Sequence, residues 1–217
     1  MNNTIIYLIR HGQSQGNLDY TQGVGLESTE LGTPLTDEGV NQAFNLSQAL
    51  KNIKMDGIYS SHLIRAKQTA EIIARQFNLP VLIKPEIRER ERGNLNNLSE
   101  LEIRKEHPVL YGNPEQLSEE EMWHYQLFPD METALHAVER FLKALREIAR
   151  SEKGKTVAIV SHGNVIRSFL VKIKYTTFEQ IPQHSLANTG YIKLKTDGIN
   201  FKVLKTEGLT IKKIIIN

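Results

Sequence analysis

The chain has 217 residues, of which 40% are apolar and 24% charged, with a net charge of +2 and no cysteine. This length supports one substantial hydrophobic core, and the absence of cysteine excludes disulfides, thiolate metal sites and cysteine nucleophiles. The small net charge disfavours a nucleic-acid partner, and the apolar runs are too short to span a bilayer. Because the first residues also lack a signal-peptide pattern, we expect a cytoplasmic protein with no membrane segment.

The first part of the chain alternates predicted strands and helices. Thr4 to Ile9 is a nearly continuous apolar run, typical of a strand covered on both faces of a parallel sheet. A helix follows from about Asp37 to Lys51, since two acids open it and apolar residues recur at helical spacing. Gly57 to Ser60 is a short strand before a helical stripe from Ile64 to Phe77, and Val81 to Ile83 is a short edge strand.

The second part continues this alternation. Leu135 to Ile148 carries the strongest amphipathic pattern in the chain and predicts a helix whose apolar stripe covers a sheet. Thr156 to Val160 is another continuously apolar strand, and a helical run from Val165 to Leu170 follows it. Tyr191 to Leu194 and Ile214 to Ile216 are predicted strands separated by Asp-Gly and Glu-Gly turns.

These elements predict an α/β fold: a three-layer α/β/α sandwich with a mostly parallel central sheet, in one domain over residues 1–217. Residues 93–130 are the least regular and are interpreted as a small inserted cap, in which Ser118 to Glu121 forms a capping box. Within it, Trp123 either covers a bound leaving group or belongs to the core of the cap. The segment from Ile211 to Ile216 pairs within the sheet or joins two copies in a homodimer.

Two apolar strands run directly into a histidine followed by a glycine, namely His11-Gly12 and His162-Gly163. In open α/β sheets, ligands bind at the carboxyl ends of the strands, where helix N-termini present free amides. Either histidine alone is more typical of a structural position, but both lie in this context. Gly12 and Gly163 are expected to let the backbone approach a ligand closely.

Two arginines share this predicted sheet edge. Arg10 precedes His11, and Arg65 lies in the first turn after the Tyr59-Ser60-Ser61 strand end. Each alone is compatible with a surface ion pair, yet together with the two histidines they predict an anion site, with phosphate as the natural ligand. A two-histidine metal site is the rival interpretation, but no carboxylate lies at ligand spacing, and we expect no metal.

At this point the sequence resembles the histidine phosphatase superfamily, the phosphoglycerate mutase-like proteins that carry an Arg-His-Gly motif. The matching motifs occur in order over residues 8 to about 170, which makes the resemblance far more specific than one tripeptide. They are Leu8-Ile9-Arg10-His11-Gly12-Gln13-Ser14 with Asn17, Pro34-Leu35-Thr36 with Gly39 and Gln42-Ala43, Tyr59-Ser60-Ser61, Arg65-Ala66, Gln68-Thr69-Ala70-Glu71, Arg88-Glu89 ahead of Gly93, and Ser161-His162-Gly163.

The resemblance implies a role for each basic residue. His11 is implied as the nucleophile that takes the phosphoryl group onto a ring nitrogen, giving a phosphohistidine. Arg10, Arg65 and His162 are implied to neutralise the charge on the transferring oxygens, and Asn17 adds a neutral donor. Gly163 is expected to contribute its backbone to the same site.

The resemblance also assigns two acids. Glu89 is implied as the proton donor to the leaving oxygen and then as the base that activates water, whereas its alternative is a surface pair with Arg88 or Arg92. Pro129 to Thr133 departs from the Gly-Glu-Ser motif of relatives but keeps Glu132. Glu132 is implied to orient a catalytic partner, with an ordinary helix N-terminal acid as the alternative.

Three functions stay open at the level of sequence. A phosphatase and a mutase share the first transfer, and true mutases grip the substrate carboxylate with an arginine pair and a lysine. Here Leu98-Ser99-Glu100 places an acid where that lysine is expected, and Trp123 precedes His124-Tyr125. The sequence therefore favours a cofactor-free, metal-independent phosphatase acting on a phosphorylated small molecule. A cofactor-dependent phosphoglycerate mutase is second, and a non-catalytic phosphoryl-ligand binding module is third.

Overall fold

The protein is described by a computed structural model over residues 3–21, 32–93, 105, 117–126 and 128–213. A six-stranded sheet forms its centre. The strands are β1 Thr4–Arg10, β2 Gly57–Ser60, β3 Val81–Ile83, β4 Thr156–Ser161, β5 Leu186–Thr196 and β6 Phe201–Leu209. The α-helices of the described residues are α1 Gln15–Thr21, α2 Asp37–Leu50, α3 Ile64–Phe77, α4 Glu119–His124, α5 Ala134–Ser151 and α6 Gly163–Lys172.

The sheet is mostly parallel, as the sequence predicts. Its strand order is β3-β2-β4-β1-β5-β6. β1, β2, β3 and β4 pair in parallel, whereas β5 is antiparallel to β1 and β6 is antiparallel to β5. β3 lies at the edge, where the sequence predicts a short strand. The strand predicted at Ile214 to Ile216 lies outside the described residues, so pairing of copies through it stays a prediction.

Helices cover both faces of the sheet and form two cores. Ile6 and Leu8 of β1 pack with α5 and α6, whereas Tyr7 and Ile9 of the same strand pack with α2 and α3. Because successive strand residues point to opposite faces, both sets are buried and the strand has to be apolar throughout. The predicted three-layer α/β/α arrangement is therefore confirmed.

The connections place a crevice between β1 and β4. The chain leaves β1 towards α2 on one face, and it leaves the neighbouring β4 towards α6 on the other face. Adjacent parallel strands whose connections diverge in this way open a ligand-binding crevice at their carboxyl ends. The fold thus brings the two predicted His-Gly turns to the usual ligand position of an open α/β sheet.

The proposed cap, residues 93–130, falls largely outside the described residues. In its described part, Ser118 and Glu121 form the predicted capping box at the start of α4. Trp123 of this helix is 8% exposed, and its ring packs edge-on against Phe178 at 4.7 Å between centroids. Trp123 is therefore buried in the main core, which it shares with Phe178 outside the proposed cap. Of the helices within the described ranges, none has the length and apolar character needed to cross a bilayer.

Candidate active site

The predicted residues of the two His-Gly turns meet at one edge of the sheet. Arg10 ends β1 and is paired in register with Ser161, which ends β4. His11 and His162 follow these residues directly, and their rings lie against each other with 5.1 Å between centroids. Both histidines are buried. The parallel register of two neighbouring strands is what brings residues 151 positions apart in sequence into contact.

The hydrogen bonds of His11 define the state of its ring. Nδ1 lies 2.7 Å from the carbonyl oxygen of Gly12. A carbonyl only accepts, so Nδ1 carries the proton and donates it. Nε2 accepts a hydrogen bond from Nε of Arg65 at 3.1 Å, and a guanidinium only donates. Both contacts therefore specify the same tautomer, with the Nε2 lone pair directed away from the backbone and towards Arg65.

Burial and neighbouring cations keep His11 neutral. Burial lowers the pKa of His11 well below the ordinary 6.5, and the charges of Arg65 and Arg10 lower it further, while the bond to the Gly12 carbonyl opposes the change. Protonation would place an imidazolium among two guanidiniums in a site shielded from water. The ring is consequently an unprotonated base at neutral pH, which is the state that a nitrogen nucleophile needs.

His162 is a buried imidazole with unused hydrogen-bonding capacity. Neither of its ring nitrogens has a partner among the residues that the structure describes. Burial lowers its pKa well below 6.5, and Arg65, His11 and Arg10 lower it further. An unpaired polar group in this environment costs about 1–3 kcal/mol, so its retention fits a ligand that completes the bond. Its position beside His11 suits an oxygen of an anion bound there.

Two guanidiniums border the same histidine. Arg10 donates from Nη1 to the carbonyl of Leu186, and its Nε has no partner within the described part of the chain. Burial lowers the pKa of Arg10 and Arg65, and the charge of Glu89 partly offsets this. Arginine stays charged despite such shifts because its ordinary pKa is so high. The pair therefore supplies two fixed positive charges beside Nε2 of His11.

An asparagine pair supports the turn after β1. Oδ1 of Asn17 accepts from the backbone N–H of Ser14 at 3.1 Å and from Nδ2 of Asn188 at 3.3 Å. Asn188 also donates to the backbone carbonyl of His11 at 3.1 Å. These bonds use the acceptor of Asn17, so its amide N–H groups are the donors it offers to the cleft that it lines. No sequence signal marks Asn188, whose partner His11 is 177 residues away.

The expected role of Gly12 is wrong. A Cβ on Gly12 would lie 2.5 Å from the carbonyl oxygen of Gly39, so its small size serves a close approach between two backbone segments rather than to a ligand. Gly39 is under the same restriction, since its Cβ would lie 2.0 Å from the carbonyl oxygen of Gln13. Gly163 lines the cleft beside Arg10, and a Cβ there would lie 3.4 Å from Nε of that arginine.

Glu89 points back to the start of α6. Its carboxylate accepts from the backbone N–H of Asn164 and of Val165, both at 3.0 Å, and from that of Arg90 at 2.9 Å. Glu89 lines the same cleft as His11. The alternative surface pair with Arg88 does not form, because Arg88 instead donates from Nε to Glu91 at 2.8 Å. The carboxylate is thus anchored on the helix that His162 caps.

Behind Glu89, an ion pair ties down the segment that carries it. The side chain of Glu132 is 3% exposed and accepts two hydrogen bonds from Arg140 of α5. Arg140 also donates to the backbone carbonyl of Glu89 at 2.9 Å. Glu132 is therefore a buried partner rather than an ordinary exposed acid at a helix start. Sequence reasoning alone misses Arg140, which looks like any polar residue on an amphipathic helix.

A cleft of about 590 Å³ opens over these groups, a size suited to a small molecule. Its lining also includes apolar residues, among them Ile166, Leu170, Ile181 and Leu209. Six arginines line it against two glutamates, Glu89 and Glu91, so an anionic ligand is favoured. The arginines are Arg10, Arg65, Arg88, Arg90, Arg92 and Arg167. Across the described ranges, no three histidine or carboxylate side chains are grouped so that they could hold a metal ion.

Comparison with known proteins gives relatives of two kinds. An uncharacterized phosphatase, PhoE, from Bacillus subtilis is 30% identical over 171 residues, which cover 78% of this chain and 77% of PhoE. A probable phosphoglycerate mutase, GpmB, from Escherichia fergusonii is 33% identical over 172 residues, which cover 73% of this chain and 69% of GpmB. Phosphatases and mutases are thus both similar to this chain.

A solved structure shares the fold over nearly the full length. YhfR from Bacillus stearothermophilus superimposes with a TM-score of 0.80 at 27% identity, covering 95% of this chain and 98% of YhfR. The sequence profile of the histidine phosphatase superfamily (branch 1) matches residues 6–207. That range includes nearly all of the six-stranded sheet and every candidate site residue described above. The chain therefore belongs to the histidine phosphatase superfamily, branch 1.

Proposed function

We propose that this protein hydrolyses phosphomonoesters through a phosphohistidine formed on Nε2 of His11. One observation carries the proposal: Nδ1 is occupied by the Gly12 carbonyl while Nε2 faces the guanidinium of Arg65. The nitrogen with the free electron pair is therefore the one beside the positive charges. A phosphoryl group that replaces the Arg65 contact would meet a nucleophile and its charge clamp together.

In the first step, the lone pair of Nε2 attacks phosphorus and the bond from phosphorus to the ester oxygen breaks. Arg10, Arg65 and His162 donate to the three equatorial oxygens, on which negative charge is spread during transfer. Nδ1 keeps its proton, which the Gly12 carbonyl stabilises as the ring becomes positive. The electron pair leaves on the ester oxygen, and a proton from Glu89 converts that oxygen into a neutral hydroxyl.

In the second step, a water attacks the phosphorus of the phosphohistidine. Glu89, now a carboxylate, takes a proton from that water, and the bond between phosphorus and Nε2 breaks. Inorganic phosphate leaves, the lone pair returns to Nε2, and Glu89 is again protonated. The cycle consumes one water and needs neither a metal ion nor an organic cofactor, because the chain itself provides nucleophile, acid and cations.

We infer one domain over residues 1–217, and the cap expected at residues 93–130 stays a prediction. A superfamily profile that runs from residue 6 to residue 207 supports a single domain. A mutase is the second candidate, since GpmB is similar to this chain and shares the first half-reaction by its class. In a mutase, a hydroxyl of a retained intermediate rather than water receives the phosphoryl group.

The test is an assay of the purified protein with a chelator present, using a panel of phosphomonoesters. The panel includes 3-phosphoglycerate with and without 2,3-bisphosphoglycerate, and phosphate release and isomer formation are followed separately. If the protein is a phosphatase, phosphate is released and no isomer of 3-phosphoglycerate forms. Isomers formed only with the bisphosphate would establish the mutase instead, and silence in both assays would favour the binding module.

A substitution tests the nucleophile. His11→Ala should lower kcat by at least about 10³-fold while circular dichroism shows a folded protein, since the covalent route is removed. His124→Ala is the matched control, because this histidine is exposed on α4 and contacts only Glu120 among the described residues. Retained turnover in His11→Ala, or an equal loss in His124→Ala, would contradict the assignment.

A further inference from the structure

We propose that Arg140 is a positioning residue that, together with Glu132, holds Glu89 where it can protonate the leaving oxygen. This inference rests on the proposed function and goes one step beyond it. It assigns a role to a residue on α5 that does not line the cleft. The geometry that carries it is a network of hydrogen bonds on both sides of Glu89.

Arg140 binds the backbone just before and at the acid. Its Nη1 donates to the carbonyl oxygens of Glu86 at 2.7 Å and Arg88 at 3.0 Å, and its Nη2 donates to that of Glu89 at 2.9 Å. The segment from Arg88 to Arg92 belongs to no helix or strand. Its carbonyls therefore have no sheet ladder or helix to satisfy them, and the planar guanidinium takes over that function.

Glu132 binds the backbone just after the acid. Its backbone N–H donates to the carbonyl of Glu91 at 3.0 Å, and its Oε2 accepts from the backbone N–H of Glu91 at 3.1 Å. The same carboxylate receives Nε and Nη2 of Arg140 at 2.8 and 2.7 Å. Glu89 thus lies on a short stretch of chain whose two ends are tied to one buried ion pair.

The ion pair is built to stay charged. Burial alone would raise the pKa of Glu132, but the hydrogen bonds and charge of Arg140, with the Glu91 amide and Arg88, bring it below the ordinary value. The side chain of Arg140 is 12% exposed and that of Glu132 is 3% exposed. A bidentate pair with this little exposure is rigid as well as strong, because the fork geometry fixes both side chains.

The backbone anchor complements the anchor on the carboxylate itself. Glu89 reaches the amides of Asn164 and Val165, which start the helix that His162 caps. If the hydrogen bonds of Arg140 and Glu132 to this segment are lost, the carboxyl group of Glu89 is no longer held in position beside the leaving oxygen. The contacts of His11 with Gly12 and Arg65 do not involve these bonds and should persist. Loss of the bonds made by Arg140 and Glu132 should therefore impair proton donation far more than nucleophilic attack.

This selectivity gives the experiment its readout. Phenyl phosphate and 2,4-dinitrophenyl phosphate have similar shapes, but only the phenyl leaving group needs a proton during bond cleavage. General acid catalysis contributes about 10²–10⁴-fold where it is needed. Arg140→Gln should lower kcat/KM for phenyl phosphate by about 10–100-fold and for the dinitrophenyl ester by less than about 3-fold.

Two further variants separate positioning from general damage. Combined with Glu89→Gln, Arg140→Gln should cause no additional loss with phenyl phosphate, since the residue acts through an acid that is already absent. Arg150→Gln is the matched control, an exposed arginine in the last turn of the same helix, and should leave both activities unchanged. If Arg140→Gln does not fold, Arg140→Lys is used instead. It keeps the charge but lacks the planar guanidinium, so it should show the same selective loss.

The outcomes discriminate this inference from the proposed function. An alkaline quench of the wild-type reaction, analysed by mass spectrometry, should trap phosphate on His11. If phosphohistidine is trapped but Arg140→Gln loses equal activity on both esters, the positioning role of Arg140 is overturned while the proposed function stands. A further loss of activity in the double variant would have the same meaning. No phosphohistidine in a wild-type protein that turns over would overturn the proposed function and this inference with it.

Discussion

Removing the charge of Arg65 should raise the pKa of His11 and make the protein's activity more sensitive to acid. In the folded protein, burial first and then Arg65 and Arg10 lower the pKa of this histidine. Protonation of Nε2 removes the nucleophile, so kcat/KM falls as pH drops through that pKa. Arg65→Gln deletes one of the two cations that oppose protonation, and the acid limb of the profile therefore moves to higher pH.

The size of the movement follows from the contact. Nε of Arg65 is 3.1 Å from Nε2 of His11. A unit charge about 4 Å away interacts by about 4 kcal/mol at an effective dielectric constant of about 20, so the loss of this guanidinium removes a large barrier to protonation. Water that enters the space left by the guanidinium screens the site and raises its polarity. We therefore expect the acid limb to move to higher pH, since both the loss of the charge and the added polarity favour the imidazolium.

The assay is the pH profile of kcat/KM, which reports the ionisations of the free enzyme and of the free substrate; the substrate's contribution is the same for all three proteins. Wild type, Arg65→Gln and Arg65→Lys are compared with phenyl phosphate from about pH 4.5 to about pH 8 at constant ionic strength. The lysine variant keeps the charge, so its limb should stay near the wild-type position even if its rate is lower. Thermal unfolding of each variant at both ends of the pH range shows whether a lower rate is caused by unfolding of the protein.

A second probe removes the dependence on activity. Imidazole ¹⁵N shifts of His11, assigned with a His11→Ala control, report the protonation state and tautomer directly in the same three proteins. Wild type should show a neutral ring with the proton on Nδ1. An unchanged limb and unchanged ring titration in Arg65→Gln would show that Arg65 does not control His11, which would remove the electrostatic basis of the proposed nucleophile.

Three further predictions concern stability and the frame of the site. Gly39→Ala should lower the free energy of unfolding in urea by about 1–3 kcal/mol and should lower kcat/KM. The added Cβ would lie 2.0 Å from the carbonyl oxygen of Gln13, which belongs to the loop after His11. Phe141→Ala should cost about 3–5 kcal/mol, since the side chain is fully buried, whereas Phe44→Ala, at 54% exposure, should change stability by less than about 0.5 kcal/mol. His11 and His162 have lowered pKa values in the folded protein, so below pH 6.5 they bind protons when the chain unfolds. The free energy of unfolding should therefore fall, by up to about 1.4 kcal/mol per pH unit for each histidine, as the pH drops. His162→Asn should reduce that slope.

The parts of the site that lie on regular elements are predictable from sequence. Continuous apolar runs identify β1 and β4, and parallel pairing then forces the residues after them to one edge. The apolar runs therefore predict that His11, His162 and Arg10 share one edge of the sheet, and the observed pairing of β1 with β4 brings them together. The start of α3 shows the limit of such patterns, because Leu63 occupies its N-cap position without a side-chain cap bond and is not a residue type that marks a helix start. Local sequence cannot specify where a turn ends when tertiary contacts decide it.

The supporting residues are not predictable because their partners are distant in sequence. Arg140 binds the carbonyl of Glu89 across 51 residues, and Asn188 binds that of His11 across 177 residues. Neither residue type nor spacing marks such a bond, since a polar residue on an amphipathic helix or strand is normally solvated. Backbone carbonyls outside regular elements need donors: Arg140 supplies one to Glu89, and Asn188 adds a second to the His11 carbonyl, which also accepts from the backbone N–H of Thr189.

The two halves of the proposed reaction are held by different kinds of structure. The nucleophile and the phosphoryl clamp lie on strand ends and helix starts, where His11 and Arg10 are buried and their geometry depends on sheet register. Glu89 lies on an irregular segment whose position depends on one ion pair and on the start of α6. Register cannot change by less than a whole residue, whereas a loop held by side chains can shift by fractions of an ångström. The phosphoryl chemistry is thus fixed by the fold, and the approach of the acid to different leaving groups can be altered through Arg140 and Glu132 without disturbing it.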